Sequence, residues 1–164
     1  MSHASLVPDV VLPELGLATG FMVFAVRSLV VGRGSCQCVV RCFDQLLKED
    51  AGAAHADMAA LVSLIGHHGA RKVMIAGPGC SRITFDELLI VKALEAMQNE
   101  DWSAAHRISQ DLFGGEPPLG AHELLDNIAV MFSVHSLCVS SNGAEAQAQT
   151  EWLVKPTVSA IGTA

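Results

Sequence analysis

The stretch TFDELLIVKALEAM (residues 84–97) decides the fold. Thr84 followed three residues later by Glu87 matches a capping box, in which the threonine hydroxyl accepts an amide of the first turn and the carboxylate reaches back to the cap residue's own amide. Leu88, Leu89, Ile90, Val91, Ala93, Leu94 and Met97 follow. A helix starting here is apolar on most of its circumference and belongs at the centre of a fold. The chain around it reads as all-α: a compact bundle of five to six helices, with one short extended segment at 72–76.

Upstream of Thr84, Gly77-Pro78-Gly79-Cys80 is a turn with strong breakers. Before it, a third helix is predicted over about Ala53–His67, where Met58, Leu61, Val62 and Ile65 recur at i, i+3, i+4, i+7. His67 and His68 close its last turn, where a polar ring complements the helix dipole. A second helix, about Cys36–Lys48, carries the stripe Cys36, Val39, Val40, Phe43, Leu46 and Leu47; Gly32 and Gly34 break the chain before it and Ser35 serves as its cap. The first helix, Leu15–Val31, is apolar nearly all the way round, with Arg27 and Ser28 as exceptions. Residues 1–14, with Pro8 and Pro13, read as an irregular lead-in.

Downstream, Asp101 caps a fifth helix over Trp102–Phe113, which Gly114-Gly115 ends. A sixth runs from about Leu119 to Cys138 with Leu125, Ile128, Phe132 and His135 on one stripe. Residues 15–140 therefore form a single helical domain. Residues 141–164, rich in Ser, Ala, Gln and Thr, read as a flexible tail with one apolar patch, Trp152-Leu153-Val154.

Composition bounds the function. Of 164 residues 51% are hydrophobic and only 16% charged, so a domain this small has more apolar surface than its interior holds. The commonest sink for the surplus is a second copy. A membrane is the competing sink, but the longest apolar run, Phe21–Val31, is interrupted by Arg27 and falls short of the roughly 20 residues a span needs. Asp9 and Glu14 sit where a secretory signal carries positive charge. These features predict a cytoplasmic protein with no membrane partner and reduced thiols.

The net charge of −7 opposes nucleic-acid binding. Helices four and five have helix-turn-helix length, yet the would-be recognition helix offers only His106 and Arg107 as cations. Charge is also unevenly spread. Gly20–Phe43 holds Arg27, Arg33 and Arg41 and no acid, whereas Thr84–Asp126 holds nine acids against Lys92 and Arg107. Such segments attract each other within a subunit or between subunits.

Two constellations bear on chemistry. Gly77, Gly79, Cys80, Ser81 and Arg82 precede helix four, where glycines permit close approach, helix amides attract anions and Arg82 adds positive charge. Cys80 there is a candidate nucleophile, although it stands four residues before the cap. The Cys36, Cys38, Cys42 cluster invites a zinc reading, with Cys38, Cys42 and His67 as the ligand set; His68, His106 and His135 are further candidates. Were both helical, Cys36 and Cys38 would point about 200° apart, and only Cys38 and Cys42, at i, i+4, could share a metal. Cys36 falls on the apolar stripe and Cys42 at its margin, as core thiols do. No cofactor motif, no catalytic residue and no paired-carboxylate pattern is read from the chain. The sequence thus favours a non-enzymatic homodimeric interaction or regulatory protein. The alternatives are a small-ligand or metal binder and, last, an enzyme using Cys80.

Overall fold

The computed structural model describes residues 6–143. Six helices make up the body: α1 Gly16–Val30, α2 Gln37–Leu47, α3 Ala51–His68, α4 Phe85–Gln98, α5 Trp102–Phe113 and α6 Ala121–Val134. Two short strands, β1 Leu6–Val11 and β2 Arg82–Thr84, accompany them. The all-α reading holds.

The capping box at Thr84 is complete. The Glu87 amide donates to Thr84 Oγ1 at 3.1 Å, and the Thr84 amide donates to Glu87 Oε2 at 2.8 Å. From this start α4 buries Ile90, Val91, Ala93, Leu94 and Met97 and packs against α1, α5 and α6. It is the central helix, as its all-round apolarity requires. Three phenylalanines from three helices lock the other side of the core. Phe21 of α1 meets Phe43 of α2 edge-on at 4.9 Å and stacks with Phe132 of α6 at 5.7 Å. At the end of α5, Gly114 takes a left-handed backbone with φ 73° and its amide caps Gln110.

Four expectations need correction. The N-terminal lead-in is not irregular from residue 6 onward. β1 pairs antiparallel with β2, Leu6 opposite Thr84 and Val11 opposite Arg82, and a 3-10 turn Leu12–Leu15 leads into α1. Pro8 is compatible with this because a two-stranded ribbon has only edge strands. The paired strand lies at Arg82–Thr84 and not at 72–76. Residues 72–76 join no ladder; the Met74 amide donates to Asp86 Oδ2 at 2.6 Å and the Ala76 amide to Glu87 Oε1 at 3.1 Å, so carboxylates stand where a neighbouring strand would. The sixth helix is shorter than Leu119–Cys138, since Gly120 and Ser136 bracket it with left-handed backbone. The cap of α2 is Cys36, not Ser35.

The apolar helical run Leu12–Val30 is long enough to cross a membrane by length and composition, and 56% of it is buried within the protein. Beyond α6 the chain doubles back over the core. The side chain of Gln98 holds the Leu137 carbonyl and the Val139 amide, each at 2.8 Å, and Thr19 Oγ1 both donates to and accepts from the backbone of Ser140 at 2.9 Å. The expected tail patch Trp152-Leu153-Val154 lies outside the described residues.

Candidate functional site

The turn before α4 is built by two buried charges. Arg27, 1% exposed, projects from α1 and donates through Nε and Nη2 to both oxygens of Glu87, also 1% exposed, at 2.6 and 2.9 Å. Its remaining donors reach the carbonyls of Cys80 at 2.5 Å and Arg82 at 2.7 Å. Glu87 in turn accepts the amides of Ala76 and Thr84. Burial without such partners would cost several kcal/mol per ion. Beside this pair, Arg71 donates to Asp86 at 2.6 Å. Basic and acidic segments thus meet inside one subunit. Arg27, an interruption on an apolar helix when read in sequence, is the group that organises residues 76–87.

This construction changes how the expected ligand site reads. Gly77, Gly79, Cys80, Ser81 and Arg82 remain together in one surface turn. The carbonyls of Cys80 and Arg82 receive Arg27, and the carbonyl of Ser81 receives the Leu12 amide at 2.8 Å. The Cys80 amide closes the turn onto the Gly77 carbonyl at 3.0 Å. At the N-terminus of α4, the Thr84 and Glu87 amides are bound to the capping box, so they do not face outward toward an anion. Cys80 itself is half-buried, and what the surrounding fold uses is its backbone.

The zinc reading also changes. Among the described residues no three His, Cys, Asp or Glu side chains gather to hold a metal. His67 bonds the Ser63 carbonyl of its own helix at 2.9 Å, and His135 bonds Asp50 at 2.9 Å. His106 and His122 pair with each other, ring centres 5.2 Å apart. Cys36 is exposed, contrary to its reading as a core thiol, and so is Cys38, while Cys42 is half-buried. The reason is that Cys36 lies outside the helix as its cap, with φ −60° and ψ 136°. The 200° separation therefore does not apply, and the two sulfurs stand 2.9 Å apart.

The feature the sequence did not single out is a groove. Leu12, Leu17, Gly20 and Phe24 on one side and Cys42 and Leu46 of α2 on the other bound an open, almost wholly apolar depression of about 590 Å³, with Ser81 at its rim. None of its lining residues carries a formal charge. Leu17 stands out of it, 57% exposed, beside Gly16 and Gly20. A signal was present: α1 reads as apolar all round, yet the core covers only part of its circumference. No family model matches the chain, and no curated protein and no solved structure is similar to it.

Proposed function

We propose that the protein is a non-enzymatic interaction or regulatory protein that works as a homodimer, and that the α1–α2 face of one copy meets the same face of another. The observation that carries this is the uncharged groove with Leu17 protruding next to Gly16 and Gly20. A knob beside a hollow on one helix is self-complementary, because a two-fold axis places the knob of each copy over the hollow of the other. Charge supports a second copy as the occupant. Two chains of net charge −7 repel, and a patch without formal charge is where they approach at least cost. A Cβ at Gly20 would meet nothing within 4 Å, so the hollow is open on the outer side.

The test is sedimentation velocity across a dilution series, with Leu17→Lys as the variant. The wild type sediments as a dimer at about 0.1 mM, where micromolar interfaces are nearly saturated. Leu17→Lys sediments as a monomer with unchanged far-ultraviolet dichroism. A wild-type monomer at that concentration overturns the reading. A dimer that Leu17→Lys leaves intact overturns the assignment of this face.

A further inference from the structure

The start of α2 presents two exposed thiols in contact. The Cys36 amide donates to the Arg33 carbonyl at 2.9 Å, and the Cys36 carbonyl receives the Val39 and Val40 amides at 2.9 and 3.1 Å. This turn fixes Cys36 as the residue just before the helix. Its side chain swings alongside that of Cys38, the second helical residue, and the sulfurs lie 2.9 Å apart. Neither thiol is covered. From Gly20 to Phe43 the sequence holds no acid, and Arg33 is close enough to favour a thiolate at Cys36.

We propose that Cys36 and Cys38 form a redox-active dithiol, oxidised to an intramolecular disulfide by exchange with the disulfide of a low-molecular-weight thiol. The geometry supplies the attacking and the resolving sulfur within contact of each other, in the open, at the positive end of a helix. The Cys36 thiol is held below the ordinary thiol range, chiefly by the hydrogen bond from Cys38, then by the Cys38 and Val39 amides and Arg33. The same bond pushes Cys38 above that range. Cys36, at the cap position beside the Cys38 and Val39 amides and Arg33, is the attacker. Its thiolate attacks one sulfur of the small disulfide, forms a mixed disulfide and expels one thiolate, which takes a proton from solvent. Cys38 then loses its proton to solvent and attacks the Cys36 sulfur, expelling the second small thiolate. Two protein thiols and one disulfide become one protein disulfide and two small thiols, so atoms and electrons balance.

Trypsin makes the test direct, because cleavage after Arg33 and Arg41 puts Cys36 and Cys38, and no other cysteine, on one peptide. The reduced full chain is exposed to oxidised glutathione without air, acid-quenched, alkylated and digested. Peptide 34–41 is expected to lose two hydrogens and to regain them with dithiothreitol. In Cys38→Ser, a glutathione adduct accumulates on Cys36. In Cys36→Ser, the remaining thiol is expected to react more slowly than Cys36 does in Cys38→Ser, since Cys36 alone holds the cap position. The proposal is overturned if peptide 34–41 carries separate adducts on both cysteines and no internal disulfide. It is equally overturned if Cys38→Ser holds no more adduct than wild type, or if the disulfide forms between Cys38 and Cys42.

Discussion

Arg27 and Glu87, sixty residues apart in sequence, form a two-bond ion pair in which each side chain is 1% exposed. The pair ties α1 to α4 and holds backbone groups of Ala76, Cys80, Arg82 and Thr84. Removing one partner leaves a buried charge without compensation. Arg27→Met or Glu87→Gln alone is expected to destabilise the fold by about 3–5 kcal/mol in chemical denaturation. Arg27→Met with Glu87→Leu is expected to recover only part of this, because two carbonyls and two amides still lose their partners. Full recovery in the double variant would mean that those backbone groups find other partners.

Thr84 serves twice. Its hydroxyl accepts the Glu87 amide and donates to the Met74 carbonyl at 2.7 Å. Thr84→Ala is expected to cost about 1–2 kcal/mol for the cap, with a further loss from the orphaned Met74 carbonyl. Thr84→Ser keeps both bonds and should stay within about 0.5 kcal/mol of wild type. Urea midpoints of the three proteins decide it, and an alanine variant as stable as the serine variant would remove the hydroxyl from the account.

Gly20 separates folding from association. It lies inside α1, where glycine is less stable than alanine, and a Cβ there touches nothing within 4 Å. Gly20→Ala is therefore expected to raise monomer stability by about 0.5–1 kcal/mol. The same methyl fills the hollow that the proposed dimer uses, so association should weaken. Thermal unfolding at high dilution and sedimentation at high concentration must move in opposite directions; an unchanged dissociation constant counts against this face.

His122 makes stability depend on pH. Its Nε2 is buried with no hydrogen-bond partner, and burial, then the neighbouring His106, holds the ring below the usual 6.5, with Glu116 opposing. The unfolded chain therefore takes up this proton more readily than the folded one. Stability from this ring is complete above about pH 6.5 and falls as pH drops through the lowered folded value, where the loss levels off. Melting temperatures between about pH 7 and about pH 5 should decline less in His122→Leu than in wild type. Equal declines would show that other groups carry the acid sensitivity.

Much of the helical layout is legible locally. Thr84 and Glu87 announce α4, Asp101 caps α5 and accepts the Ala104 amide at 2.9 Å, and Gly114 ends that helix. These signals act within one turn, where spacing alone brings the groups together. β1 is not legible locally, for the opposite reason. Its partner, Arg82–Thr84, lies more than seventy residues away, and Pro8 and Pro13 read locally as breakers. The candidate sites were less legible. The turn at Gly77–Arg82 is legible from its breakers, but its backbone is engaged by Arg27 from another helix. Helical angle alone places Cys36 on the apolar stripe, whereas the helix starts one residue later and leaves Cys36 an exposed neighbour of Cys38.

By itself, the sequence determined that this chain folds into helices, where most of them begin and end, and that α4 lies at their centre. Periodicity and capping depend on residues three or four apart, which the order of amino acids specifies directly. Only the tertiary structure decided that Arg27 is a buried partner of Glu87, that one face of α1 is left uncovered as a groove, and that two thiols touch at the head of α2. Those facts depend on which faces meet in space, and a long-range encounter leaves no local periodicity to read.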